Sequence, residues 1–208
     1  MFDFSLMDIV AGIPGLIIAM VVHEYAHARA AVAMGDFTPR MTGRLTLNPK
    51  AHIDPIGLLM LFLVQFGWAK PVMINPRNFR NLRQGELLVA LAGPAANLLT
   101  AFLALVFLVI YVKMGMNVSQ GLRMVFSLII IYNINFAIFN MIPLPPLDGS
   151  KVLMSFLPGR WAYELMRLER YTFLILIVLM MTPVLGQILI PLQRLVYQIF
   201  YAIISVVF

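Results

Sequence analysis

The sequence predicts an all-α membrane protein, a polytopic transmembrane helical bundle with a short β-hairpin or re-entrant element after the first helix. Of its 208 residues, 62% are hydrophobic and only 12% are charged, and the mean hydropathy is +0.91. A soluble domain has about 45–50% apolar and about 25% charged residues. Long apolar segments also alternate with short basic ones. We therefore expect a single integral membrane domain over residues 1–208, surrounded mainly by lipid.

The first part of the chain contains one complete span and one segment that is too short to cross. The apolar segment at about 9–34 predicts the first span, with Pro14 as a kink near its start. Residues 36–54 are polar and mixed, and the alternation at 44–48 predicts a short strand or hairpin at the membrane surface. The apolar segment 56–68 has about 13 residues, whereas crossing takes about 20. A re-entrant or interfacial helix therefore fits this segment better.

The second part of the chain adds three predicted spans, at about 86–112, 122–142 and 171–191. Between the last two lies 143–149, Pro-Leu-Pro-Pro-Leu-Asp-Gly, a proline-rich segment that cannot continue a helix. The apolar tail 195–208 is short for a complete span, so we expect it to cross only in part.

The distribution of basic residues predicts the orientation. Eleven Lys and Arg lie in 35–84 and 144–170, whereas only Lys113, Arg123 and Arg194 are assigned to the opposite side. Because positive residues remain in cytoplasmic loops, we expect a multi-pass protein of the cell membrane with its N-terminus outside and its basic loops in the cytoplasm. The basic residues lie between spans and form no single patch, which argues against nucleic acid as a partner.

Residues 23–27, His-Glu-Tyr-Ala-His, form an H-E-x-x-H motif inside the first predicted span. Two imidazoles four residues apart lie on one helix face and can share a metal ion. Glu24 beside them can act as the base of a metalloprotease. Burying three ionisable groups together in a span is costly, so we favour a chemical role over simple helix packing. The chain has no cysteine, so any metal must be held by His, Asp or Glu.

Two imidazoles, one carboxylate and an open position suit a single zinc ion. Asp148 is the best candidate for the third ligand, because irregular backbone at membrane depth must be buried in protein or line a wet cavity. At the helical rise, His23 lies about 16 Å from the cytoplasmic end of the first predicted span. Asn97 lies at about the same distance from the cytoplasmic end of the second span. Asp148 follows the third span, so 143–149 must fold back inward to reach the histidines. Alternatively, Asp148 is simply a turn residue before Gly149.

For three further polar residues, both a functional and a structural role stay open. Asn97 and Asn140 are candidates for contacting the substrate or its oxyanion, or they make hydrogen bonds between helices. His52 is a candidate for an extra metal ligand or a proton relay, although a structural role in its loop is favoured. Gly93 and Pro94 are interpreted as packing and kink residues.

Together these motifs resemble those of the site-2 protease family of intramembrane zinc metalloproteases. The H-E-x-x-H of 23–27 and the Asn-x-x-Pro-x-Pro-Pro-Leu-Asp-Gly of 140–149 look like that family's two long motifs. The segment 93–97 is similar to its Gly-Pro-x-x-Asn element. Residues 47–55, with Leu-Asn-Pro followed by His, Asp and Pro, resemble a further element of its small bacterial members. The matches appear in the family's order along the chain.

The resemblance implies that His23, His27 and Asp148 bind one catalytic Zn²⁺ and that Glu24 is the catalytic residue. It also implies a zinc metalloendopeptidase of the small bacterial type, without PDZ or CBS domains. Its partners would be the lipid bilayer and membrane-protein substrates, whose transmembrane helices it would cleave near the cytoplasmic side in regulated intramembrane proteolysis. The catalytic core would then cover about 9–149, and further helices about 150–208.

Two other functions stay open. The same His, Glu and Asp side chains could handle a metal ion or protons in a membrane transporter, or the chain could be an inactive, protease-like scaffold. Transporters often have repeated halves with paired broken helices, whereas this sequence has one proline-rich break and no internal repeat. The presence of Glu24 argues against an inactive scaffold.

Overall fold

The computed structural model of the protein describes residues 6–57 and 69–207, which are mostly helical. In chain order these helices are α1 (Leu6–Met34), α2 (Thr38–Met41), α3 (Leu82–Lys113), α4 (Gln120–Asn140), α5 (Asp148–Phe156), α6 (Gly159–Arg167), α7 (Glu169–Met181) and α8 (Val184–Val207). Among the described residues, α1, α3, α4 and α8 are long and apolar enough to cross a membrane. The prediction of a polytopic helical membrane protein is confirmed.

Local side-chain chemistry determines where the long helices begin and end. The Asn81 side chain accepts a hydrogen bond from the backbone N–H of Gln84 at 3.0 Å and caps α3, which therefore begins four residues before the predicted start at 86. Ser119 caps α4 in the same way. Helix α1 ends at Gly35, whose φ of +109° is a backbone conformation that residues with a Cβ rarely adopt.

The helices α1, α3 and α4 pack against one another and carry the motif residues. Glycine permits the close approach of α1 and α4, since a Cβ on Gly15 would lie 3.0 Å from the backbone of Leu128 and Ile129. Helix α8 covers the other side of α3 and α4. A core cluster joins these three helices through Ala101, Leu105, Ile130, Ile134, Phe200 and Ile204.

The predicted strand or hairpin over 36–54 is wrong, because no strand occurs in the two stretches that the structure describes. The segment instead contains α2, turns and a short 3₁₀ helix at Pro49–Ala51. Asn48 caps that turn by accepting a hydrogen bond from the Lys50 N–H at 3.1 Å, so side-chain capping replaces a strand ladder. The predicted re-entrant segment 56–68 lies almost wholly outside the described residues.

The predicted fourth span at 171–191 is also wrong, because the helix is interrupted at Thr182 and Pro183. Thr182 adopts an extended conformation, which the following proline favours. The fourth candidate span is therefore α8, in which Leu192 and Leu195 line a groove with the end of α4. Arg194 consequently lies nearer the end of the bundle that carries 141–149 than the opposite end, contrary to its predicted side.

Between α4 and α5 the chain turns back on itself, as Asp148 requires in order to reach the histidines. Gly149 packs directly on the preceding turn, since a Cβ at this position would lie 2.2 Å from the carbonyl oxygen of Met141. Only glycine leaves room for this backbone crossing. Asp148 thus begins a new helix that packs against α3 instead of continuing away from the bundle.

Candidate metal centre

The structure brings the side chains of His23, His27 and Asp148 together inside the bundle. The two Nε2 atoms are 2.9 Å apart, and each lies 3.1 Å from Oδ2 of Asp148. All three residues are buried, with 3 to 6% of their surface exposed. They form a group that could hold a metal ion. Helix periodicity aligns the two imidazoles on α1, and the turn at 141–147 delivers the carboxylate.

The second nitrogen of each imidazole is oriented by a neighbouring oxygen. His23 Nδ1 donates to Asn97 Oδ1 at 2.7 Å, and His27 Nδ1 donates to the carbonyl oxygen of Val89 at 2.7 Å. The Asn97 amide nitrogen donates to the carbonyl of Ala19 and to Asn133, so its oxygen must face His23. These partners assign the proton of each neutral ring to Nδ1, so that both Nε2 lone pairs face Asp148.

Three acceptor atoms thus face one another. Among the described residues, no hydrogen bond to Oδ2 of Asp148 is formed, and in neutral rings with the proton on Nδ1 both Nε2 atoms are acceptors. Such a cluster is unfavourable unless a cation lies among the three atoms. Ligand atoms about 2.0–2.1 Å from a tetrahedral zinc ion lie about 3.3 Å from one another, close to the separations of these atoms. The residues present therefore fit zinc.

Helix α3 reaches the imidazoles because residue 93 is glycine. A Cβ at this position would lie 2.5 Å from Nε2 of His27 and 2.6 Å from Cε1 of His23. The sequence predicts Gly93 to be a packing residue and does not indicate that it faces the candidate metal ligands. The available signal is its position one turn before Asn97 on α3, within the Gly-Pro-x-x-Asn element.

The three candidate ligands lie on the wall of a cavity of about 440 Å³ between α1, α4, α5 and the segment 69–75. Glu24, Asn140 and Lys151 also line it. Much of the remaining wall is apolar and is formed by Leu16, Met20, Ile53, Ala69, Pro71, Val72, Ile74, Phe136, Phe139, Pro146, Leu147 and Leu176. A mainly apolar cavity with a few convergent polar groups is typical of an active site.

Glu24 faces this cavity and is held by the backbone. Its Oε2 accepts a hydrogen bond from the N–H of Val72 at 2.8 Å. Val72 lies 48 residues after Glu24, in the segment 69–75. No motif in the sequence indicated that this segment would contact Glu24. A carboxylate beside a candidate metal group and open to a cavity can take a proton from water.

Lys151 is a second site residue that the sequence analysis missed. Its Nζ lies 3.5 Å from Oδ1 of Asp148, and its side chain lines the cavity. The spacing of three residues on one helix was the available signal, because side chains at this spacing share a helix face. Lys151 pairs with Oδ1 of Asp148, whereas both imidazoles approach Oδ2, which stays available for a metal ion.

The three less certain candidates have different surroundings. Asn97 is fully buried, does not line the cavity and is committed to hydrogen bonds, a geometry that favours orienting His23 over touching a substrate. Asn140 lines the cavity while donating to the carbonyl of Phe136. His52 is fully buried outside the cavity wall, and its Nε2 hydrogen-bonds to the carbonyl of Thr46, which favours the structural interpretation.

Comparison with known proteins supports one family. The sequence profile described as "Peptidase family M50" matches residues 109–183. The chain is 39% identical over 180 residues to the Bacillus subtilis protein named "Putative zinc metalloprotease YwhC", covering 85% of this chain and 82% of that protein. It is 30% identical over 181 residues to "Putative zinc metalloprotease Rip2" of Mycolicibacterium smegmatis, covering 84% and 68%, respectively. No solved structure matches the chain significantly.

The similarity to these two relatives extends over 84–85% of the chain, well beyond the residues 109–183 that the profile matches. The motifs on α1, α3 and the turn before α5 had already indicated a resemblance to site-2 proteases. The chain belongs to the metallopeptidase family M50, the site-2 protease family.

Proposed function

We propose that this protein is an intramembrane zinc metalloendopeptidase that cleaves transmembrane segments of membrane-protein substrates near the cytoplasmic side, in regulated intramembrane proteolysis. One observation carries the proposal. Three acceptor atoms that fit zinc lie beside the Glu24 carboxylate on the wall of a largely apolar cavity, between helices long enough to cross a membrane. Family membership implies Zn²⁺ as the cofactor.

In this mechanism His23, His27 and Asp148 hold the ion. Zinc, when bound, supplies Lewis acidity that activates water and polarises the peptide carbonyl. Glu24 takes the proton of the attacking water and returns it to the leaving amine. Asn97 and Val89 keep both imidazoles in the tautomer that offers Nε2 to the ion. Asn140 lines the cavity and is the remaining amide candidate for substrate contact.

The apolar wall supports a transmembrane segment as substrate. Side chains such as Met20, Phe136 and Leu176 offer an environment that suits the residues of a membrane helix. The substrate must first lose its helical structure locally, since helical amides are internally hydrogen-bonded and shielded. Basic segments lie on the Asp148 side of the bundle, and basic loops remain in the cytoplasm. This distribution supports an N-terminus outside the cell and a site toward the cytoplasm. The protein would form a single domain in the cell membrane.

A cleavage assay tests the proposed function directly. Purified protein reconstituted in vesicles with a synthetic transmembrane substrate should contain about one zinc per chain and cleave the substrate. Phenanthroline should reduce cleavage to background, and added Zn²⁺ should restore it. Zinc-loaded protein without cleavage of any of a set of transmembrane substrates would favour an inactive scaffold. Ion flux dependent on His23 and His27 would instead favour a transporter.

Replacement of Lys151 tests whether this residue keeps Asp148 in place. We expect Lys151→Met to weaken zinc binding about tenfold or more, because partners of metal ligands have effects of this size. Lys151→Arg should retain most of the affinity, since it keeps a positive donor near Oδ1 of Asp148. Competition with a fluorescent chelator measures the affinity, and Lys50→Met, at an exposed residue outside the cavity, is the control. Equal affinity in all four proteins would exclude this role.

A further inference from the structure

A segment without helical structure, residues 69–75, lines the cavity and is held at both ends. At one end Ala69 pairs with Ile53, and the Lys70 N–H donates to the carbonyl oxygen of His52 at 2.8 Å. Next to the cavity, the side chains of Val72 and Ile74 contribute to its wall. These anchors restrict how far the middle of the segment can move.

At the other end the segment is fastened to a buried carboxylate. Asp36, fully buried just after α1, accepts hydrogen bonds from the Asn75 N–H at 2.7 Å and from the Asn78 side chain at 2.8 Å. Burial raises the pKa of Asp36, but hydrogen bonds from Thr38, Asn75 and Asn78 outweigh it and lower the pKa below its ordinary value. Asp36 is therefore a charged acceptor that holds this end close to the helix that carries Glu24.

Between these anchors the segment makes a hydrogen bond to Glu24, the proposed base. The N–H of Val72 donates to Oε2 of Glu24 at 2.8 Å, and Val72 is only 9% exposed. A free glutamate on a cavity wall has several rotamers, only some of which point toward the candidate metal group. A hydrogen bond from an anchored backbone amide to a carboxylate is short and directional, so it selects among these rotamers.

We propose that the backbone amide of Val72 is a positioning group for Glu24. It holds one carboxylate oxygen and leaves the other to accept the proton of the attacking water. This inference rests on the proposed function, because it assigns Glu24 the role of base. The opposite possibility is a lock in which the segment occupies Glu24 and suppresses activity. Positioning is favoured because Val72 engages only one oxygen and the segment is anchored independently of Glu24.

Removal of a single N–H separates these possibilities. Val72→Pro deletes the donor in a segment that forms no helix, whereas Val72→Ala keeps the amide and removes side-chain packing. We expect Val72→Pro to lower kcat at least about tenfold with KM and zinc content unchanged, and Val72→Ala to lose much less. Met73→Pro, at a residue that is 63% exposed, controls for a proline in the segment. Unchanged kcat in Val72→Pro overturns the proposal, and increased kcat indicates the lock.

Amide exchange provides a readout that needs no activity. In the full-length protein in nanodiscs, hydrogen–deuterium exchange resolved to single residues should show a protected Val72 amide. Glu24→Ala should accelerate exchange at Val72 about tenfold or more and leave the Lys70 and Asn75 amides unchanged. Equal exchange at Val72 in both proteins would overturn the inference even if the wild-type protein cleaves substrate. The expected difference without cleavage would locate the failure in the proposed function.

Discussion

Glu24→Gln is expected to abolish proteolysis while leaving zinc bound. Glutamine keeps the size of the side chain and an oxygen that can accept the Val72 N–H, but it cannot take a proton from water. Loss of a general base costs about 10²–10⁴ in rate, so we expect cleavage of a transmembrane substrate to fall about a thousandfold. Cleavage is measured in reconstituted vesicles, and zinc is measured by elemental analysis of the same preparations.

The control for this substitution is Glu164→Gln. Glu164 lies on the surface, pairs with Arg167 at 3.0 Å and does not line the cavity. It removes the same charge from the protein and should leave cleavage unchanged. A Glu24→Gln protein that cleaves at the wild-type rate would exclude Glu24 as the base. Loss of zinc together with activity would mean that Glu24 supports the metal centre and would leave its chemical role unsupported.

Gly93→Ala is expected to destroy zinc binding without unfolding the protein. The new Cβ would lie 2.5 Å from Nε2 of His27, so an imidazole or α3 must move. Metal ligands need positions accurate to about 0.5 Å, so we expect zinc affinity to fall at least about a hundredfold and cleavage to fall with it. In a helix interior, alanine is intrinsically more stable than glycine by about 0.5–1 kcal/mol, which works against general unfolding.

Gly121→Ala is the matched control, because nothing lies within 4 Å of a Cβ built at this helical position. Chelator competition measures zinc affinity, and thermal unfolding in detergent verifies that both variants fold. If Gly93→Ala binds zinc like the wild type, α3 does not approach the imidazoles as described. If Gly93→Ala fails to fold while Gly121→Ala folds, the added Cβ disturbs the packing of α3 and not only the zinc site. Gly93→Ser would not rescue the site, since any Cβ at this position makes the same contact.

Local patterns in the sequence determined much of the fold. Composition identified the bilayer as the main solvent, and apolar length located three of the four candidate spans, at α1, α3 and α4. Both properties depend on neighbouring residues only, so they can be read without knowledge of the tertiary structure. The same holds for the face shared by His23 and His27, which follows from helical periodicity.

The errors occurred where local patterns compete with longer-range contacts. The alternation at 44–48 favours a strand, but a strand needs a partner, and the structure satisfies this backbone with caps and turns. The apolar residues across 171–191 suggest one span, but the backbone at Thr182 is extended before Pro183. The position of Arg194 then followed from the packing of α8, which hydropathy does not determine.

For the candidate site, the sequence by itself determined the chemical types: two imidazoles, one glutamate proposed as the base and one further Asp in a proline-rich turn. Only the tertiary structure decided that Oδ2 of Asp148 meets both imidazoles, that Val72 meets Glu24, and that Gly93 makes room for the group. The physical reason is that ligand identity resides in single residues and short spacings. Bringing the ligand atoms to within about 3 Å of one another instead depends on how helices that are distant in the chain pack and on where the backbone crosses itself.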